Sequence, residues 1–263
     1  MLVATLLLAV AACGGGEQQA ARQVRLPPAG AAFDYQLGGD APLPDGVTVV
    51  ARDWQGGTPP GGGVYAICYV NAFQSQPDVQ WPAEVVTEFE DPEWPGEFAI
   101  DLSTEATRSA ALRRAREMID VCAAKGFDAV EFDNLDTFTR FDGLGFGAAE
   151  AVSYATALVQ ATHAAGLAAG QKNSVELLGA GIGFDFAVVE QCGEYGECAA
   201  FVAAYDLVFD IEYTDSGLAA ACATLGDRAS VVRRDLDLAL PDDPGYVYGT
   251  CRSALDTTGA TGA

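Results

Sequence analysis

The segment Asp128-Ala-Val-Glu131-Phe-Asp133-Asn-Leu-Asp136 carries the most pointed chemistry in the chain. Val130 and Phe132 alternate with Glu131 and Asp133, the period of a β-strand. One face is therefore apolar and the other presents two carboxylates. An unpaired buried carboxylate is expensive, so acids on a hydrophobic strand mark a place where charge is used. Other strand-like runs end the same way. Their ends supply Asp53, Asn71, Asp101, Asn134, Lys172, Asn173, Glu190, Gln191, Asp210 and Glu212. Each alone could be a cap or a loop acid; together they predict one shared site.

Alternation predicts that Glu131, Asp133, Lys172, Glu190 and Glu212 point inward at one rim. Several carboxylates around one lysine cannot all keep ordinary pKa values. Repulsion raises at least one towards a general acid, while Lys172 favours ionisation of another. A proton donor beside an ionised carboxylate is the apparatus of glycoside hydrolysis. Other chemistries lack their parts. His163, the only histidine, lies in a helical stretch away from any strand end, so no Ser-His-Asp or Cys-His arrangement is visible. A carboxylate-only divalent metal site ranks lower, because a lysine among the acids competes with a cation. No metal or other cofactor is expected.

The elements that must position these groups are short strands alternating with helices. Strands are predicted at 33–37, 47–51, 64–70, 98–102, 129–133, 168–172, 186–190 and 207–213. A helix over 104–124 shows Ala111, Leu112, Ala115, Met118, Ile119 and Cys122 at helical spacing, and Gly126 stops it. A second runs from 148 to 165. Eight strands alternating with helices predict a single α/β domain, a (β/α)8 TIM barrel, whose active site lies at the C-terminal strand ends. An open doubly wound sheet is the runner-up, but no glycine-rich phosphate loop follows the first strand, and 179–183 fits no nucleotide motif. The segment 230–238 is extended without an assigned place. Tyr35, Trp54, Tyr69, Trp81, Trp94, Phe138, Tyr195 and Tyr213 lie near strand ends or the loops after them, where sugar rings could stack.

The chain has 263 residues, half of them hydrophobic, enough for one large core. Its 14 basic and 37 acidic residues give a net charge of −23, which argues against a nucleic-acid partner and suits a cationic one or the solubility of an exported protein. Residues 1–12 are apolar and close on Ala11-Ala12-Cys13, the pattern of a lipoprotein signal with Cys13 as the lipidated residue. Residues 13–30 read as a flexible tether and 31–263 as the catalytic domain. The location expected is extracytoplasmic, lipid-anchored to a bacterial envelope or secreted, with no other membrane contact. Six further cysteines suit disulfides in that compartment. Cys192 and Cys198 can close a local loop, leaving Cys222 with Cys251 and Cys68 with Cys122, although spacing does not fix the connectivity. Zinc is disfavoured by the spacings.

In family order the chain carries Phe33-Asp-Tyr-Gln-Leu-Gly-Gly39, Ile67-Cys-Tyr-Val-Asn71, Trp94-Pro-Gly-Glu97 with Ile100-Asp101, and Gly126-Phe-Asp-Ala-Val-Glu-Phe-Asp-Asn134. Lys172-Asn173, Glu190-Gln-Cys-Gly-Glu-Tyr-Gly-Glu-Cys198 and Val208-Phe-Asp-Ile-Glu-Tyr213 follow. This ordered set resembles the GH114 glycoside hydrolases, a TIM-barrel family described as endo-α-1,4-polygalactosaminidases. The resemblance implies Asp133 and Glu190 as the catalytic pair, Asp133 as nucleophile or stabilising carboxylate and Glu190 as acid/base. It implies a cationic galactosamine polymer as substrate for a monomeric enzyme. Asp53, Tyr69, Asp101, Glu131, Asn134, Lys172, Glu212 and Tyr213 are expected around the pair as substrate-binding residues. Phe132 stands where the family has proline, Thr137-Phe138 where it tends to Gly-Tyr, and Ala72-Phe-Gln-Ser75 where it has a Gly-Ser-Trp-Glu-like run. Those departures motivate two alternatives: a surface lipoprotein that binds an amino-sugar polymer without cutting it, or a barrel glycosidase for another glycan.

Overall fold

The structure, a computed structural model, describes residues 24–252. The signal 1–12, Cys13 and the first part of the expected tether lie outside the described residues.

Eight parallel strands curl around a common interior: β1 (Phe33–Gln36), β2 (Val49–Asp53), β3 (Tyr65–Asn71), β6 (Ala129–Asp133), β7 (Ala168–Lys172), β8 (Phe186–Glu190), β9 (Val208–Glu212) and β10 (Ser230–Arg234). A short antiparallel strand, β11 (Tyr248–Thr250), extends the sheet beyond β10. Strands β1 and β10 lie side by side without a backbone ladder. Side chains bridge this seam. Arg234, almost fully buried, pairs with buried Asp34 at 2.6 Å and donates to the Tyr35 carbonyl. The result is a TIM-barrel-like α/β fold with an open seam.

Three features depart from the sequence reading. The run 98–102, expected as a barrel strand, forms β5 (Phe98–Ile100), which pairs antiparallel with β4 (Val86–Glu90) outside the barrel. Backbone pairing of β3 directly with β6 leaves no place for it in the wall. The eighth wall strand is instead β10, inside the segment that had no assigned place. Residues 24–28 are also no free tether. Val24 packs on the barrel interior, and Arg25 pairs with Asp128 at 2.6 Å.

Inside the barrel Phe33, Val49, Ile67, Phe186, Phe209 and Val232 fill the lower interior. Outside, α1 (Glu105–Lys125) and α3 (Ala148–Ala164) lay Ala111, Ala115, Met118, Tyr154 and Leu158 against Val70, Val130 and Phe132. Thr104 caps α1 in a capping box with Thr107, and Gly126 ends it at φ 90°. Short helices α4 (Cys192–Tyr195), α5 (Cys198–Ala204) and α6 (Asp215–Leu225) cover the outer face of β8 and β9. Another short helix, α2 (Thr137–Arg140), follows β6. Disulfides join Cys68 to Cys122, Cys192 to Cys198 and Cys222 to Cys251, the first tying β3 to α1. No helix among the described residues is long and apolar enough to cross a membrane.

Candidate active site

Three adjacent wall strands deliver the central groups. Asp133 ends β6, Lys172 ends β7 and Glu190 ends β8. The residue after each adopts a left-handed backbone: Asn134 at φ 63°, Asn173 at 46° and Gln191 at 57°. Such conformations are strained for non-glycine residues and persist where the surroundings over-determine them. Here they turn the chain sharply away, so each preceding side chain stands at the barrel mouth. Asn173 accepts the Glu190 backbone N–H at 2.7 Å, which locks β7 and β8 ends together.

Lys172 is the hub. Its ammonium lies 3.2 Å from Glu190 Oε2, 3.5 Å from Asp133 Oδ2 and 3.0 Å from the Tyr35 hydroxyl. The side chain is 1% exposed, with the rings of Tyr35 and Tyr69 on its flanks. Each carboxylate also receives a phenol: Tyr69 donates to Asp133 Oδ2 at 2.7 Å, and Tyr213 donates to Glu190 Oε1. Asp133 Oδ1 accepts the Asn134 N–H. Beneath them the Tyr35 hydroxyl donates to Glu131 Oε1 at 2.8 Å.

Charge explains this order. Burial pushes the Asp133 carboxyl up, but Lys172, the Tyr69 hydroxyl and the Asn134 N–H outweigh it and hold the group below the usual range. Burial would likewise depress the Lys172 ammonium, yet Asp133, Glu190 and Glu131 outweigh it and keep it charged. Glu131, fully buried, goes the other way. Burial raises it to about 8 against the pull of Lys172 and Tyr35. Burial also pushes the phenols of Tyr35, Tyr69 and Tyr213 above their ordinary value, so all three remain donors.

A second group reaches the mouth from the β4–β5 excursion. Asn71, opposite Asp133 in the β3–β6 register, donates to Glu97 Oε2 at 3.0 Å. Burial, Asp133 and Asp91 raise Glu97 to about 7. Exposed Trp94 begins the same turn, its carbonyl accepting the Glu97 N–H. Arg140 ties buried Asp91, at 3.0 Å, to Asn134, at 2.7 Å.

Of the residues expected from sequence, Tyr69, Glu131, Asp133, Asn134, Lys172, Glu190 and Tyr213 come together. Three do not join them. Asp53 spends Oδ1 on the backbone of its own turn at Gln55 and Gly56. Asp101 follows β5, outside the barrel, and accepts the Ser103 N–H. Glu212 points away from the interior. The register sets Glu190 beside Ile211, so Phe209 and Ile211 face inward while Asp210 and Glu212 face the helices. Phe209 and Ile211 alternate with Asp210 and Glu212, but with both faces buried the acids can lie on either, and the register with β8 decides. Sequence reasoning missed Glu97 and Arg140 as site members and had Tyr35 only as a surface for stacking. Strict alternation from Phe33 could have found Tyr35, and Glu97 lay within a quoted motif.

The departures from the family pattern fall mainly in buried positions. Phe132 and Ala72 pack in the outer core, buried Thr137 donates to the Asn134 carbonyl, and Phe138 packs against that core. They alter the wall rather than the carboxylate pair.

A TIM-like barrel holding two carboxylates at its C-terminal rim has the parts that glycoside hydrolysis uses. More particularly, the sequence model of glycoside-hydrolase family GH114 matches residues 15–256, and the chain belongs to that family. Among solved structures it is similar to Ega3 of Aspergillus fumigatus in complex with galactosamine, with TM-score 0.73, 23% identity and coverage of 86% of this chain and 98% of that one. It is also similar to the glycoside hydrolase domain of PelA from Pseudomonas aeruginosa, with TM-score 0.60, 15% identity and coverage of 83% and 98%. At these identities the likeness is one of fold. No curated protein matches the sequence.

Proposed function

We propose that this enzyme is an exported hydrolase of α-1,4-linked galactosaminan, with Asp133 as nucleophile and Glu190 as acid/base. The observation that carries the reading is the single ammonium of Lys172 held between the two carboxylates. It bonds both, at 3.5 and 3.2 Å. The proposed course is a double displacement. Asp133, ionised, attacks the anomeric carbon while Glu190 protonates the departing glycosidic oxygen. Glu190 then takes a proton from the water that opens the glycosyl-enzyme ester. Lys172 opposes protonation of Asp133 throughout.

The substrate assignment draws on Ega3, whose structure holds galactosamine, and on this chain's own charge. A deacetylated galactosamine polymer is a polycation, and the protein carries −23. At the mouth, Glu97 offers a carboxylate with no cationic partner among the described residues, beside exposed Trp94. The ring of an aminosugar can stack on the indole while its ammonium meets Glu97. Three disulfides support an oxidising compartment, and the lipobox-like Cys13 supports an envelope anchor. The test is incubation with partly deacetylated galactosaminan, its fully N-acetylated form and a galacturonan, followed by a reducing-end assay. New ends from the first substrate support the reading. No new ends from any would leave a binder, and ends from another glycan alone would reassign the substrate.

A further inference from the structure

Behind Glu190, on the outer face of β9, lie two carboxyl groups that the mechanism does not use. Asp210 and Glu212 are both fully buried. Glu212 Oε1 accepts the Gly193 N–H at 2.6 Å, whereas Glu212 Oε2 and both Asp210 oxygens have no hydrogen-bond partner. The surrounding chain is shaped to this pair. A Cβ on Gly217 would overlap Glu212 Oε2, and one on Gly193 would sit 2.9 Å from Oε1.

Two facing buried carboxylates with so few donors cannot both be ionised. A proton on one Asp210 oxygen, donated to Glu212, satisfies two of the three orphaned atoms, and the Cys192 backbone N–H faces Asp210 as well. A cation fits poorly. Cys192 and Cys198 lie within 4.8 Å of the pair but are bonded to each other, and an N–H is aimed at Glu212. The clamp acts on the turn that matters: Gly193 follows Glu190 by three residues, through left-handed Gln191. We infer that Asp210 and Glu212 share one proton and act as positioning residues, holding the β8–α4 turn so that Glu190 keeps its place at the barrel mouth. This rests on Glu190 being the acid/base of the proposed reaction. Burial and the neighbouring Glu212 raise Asp210, in keeping with the shared proton. The charged groups facing the pair are Glu190 on β8, Glu194 on α4, and Arg233 on β10, which pairs with Asp215 on α6.

The test compares polymer cleavage with hydrolysis of an aryl galactosaminide whose leaving group needs no protonation. Asp210→Ala is expected to lower kcat/KM on the polymer about a hundredfold, and to lower kcat/KM for the aryl substrate, which reports the first step alone, less than about threefold. Asp210→Asn keeps a donor for Glu212 and restores polymer cleavage. A merely structural role would lower both substrates together, and that result, or no loss, overturns the inference. Should Asp210→Ala not fold, unfolding of Asp210→Asn decides. Its Tm gain over the parent should grow from pH 5 to pH 8, because the parent loses stability as pH rises towards the raised pKa. Equal pH dependence of the two overturns the shared proton, as does stoichiometric zinc or calcium binding that Asp210→Asn abolishes. Glu190→Gln separates the levels. Unchanged polymer cleavage there removes the reading beneath, whereas its loss with an indifferent Asp210→Ala removes only this inference.

Discussion

Lys172 is the residue on which the others depend. Its ammonium holds Asp133 below the usual carboxylate range and pulls Glu131 down against its burial. Replacing it with Met leaves those acids without a countercharge. Lys172→Met should cost about 3–5 kcal/mol of stability, the usual result of breaking a buried ion pair by removing one partner. It should also move the acid limb of kcat/KM to higher pH, because Asp133 loses the charge that lowers its pKa. Thermal unfolding and a pH–rate profile check the two effects. Glu97 makes a separate prediction. At about 7 it becomes an anion as pH rises through neutrality, so KM for a galactosamine oligomer should fall between pH 6 and 7.5. Glu97→Gln should raise KM roughly tenfold, the worth of about 1.4 kcal/mol, and flatten that pH dependence. Unaltered KM in the variant would dissociate Glu97 from the substrate.

At the scale of elements, the strand ends and the left-handed turns after them do the positioning, and the disulfides hold the frame. Cys68–Cys122 closes a span of 54 residues between β3 and α1. A loop of that length is worth about 4 kcal/mol in the chain-entropy account. Replacing both cysteines with Ala should lower Tm by on the order of 10 °C while leaving KM alone. Calorimetry with parallel kinetics would show it. Much of this frame was legible in the sequence because hydrophobic periodicity is local. Strand β6 alternates Glu131 and Asp133 with Val130 and Phe132, and the polar ends of β6, β7 and β8 gave Asp133, Lys172 and Glu190. Local pattern failed where two arrangements share a sequence. Phe-Ala-Ile suits an antiparallel ribbon as well as a barrel wall, and only the β3–β6 pairing excludes it from the wall. In β9 both faces are buried, so phase came from the register with β8, a tertiary fact. Glu97 was hidden for a related reason. It reaches the site through a turn whose path depends on that same ribbon.

The whole molecule adds its field. A net charge of −23 should draw a polycationic substrate towards the mouth, and salt should weaken the attraction, since the Debye length is about 8 Å at physiological ionic strength. The kcat/KM for deacetylated galactosaminan should therefore drop severalfold between about 10 and 300 mM salt, while a neutral N-acetylated oligomer, if cut, should show no such slope. Stopped-flow or initial-rate assays across salt would reveal it. That field only brings substrate in. The proposal assigns cleavage to the two carboxylates on Lys172, and the most direct measurement is the rate of new reducing ends from galactosaminan with the parent enzyme, Asp133→Asn and Glu190→Gln. Both variants should lose about a thousandfold or more in kcat and unfold cooperatively with the fold intact. Cleavage at parental rates by either folded variant would contradict the account.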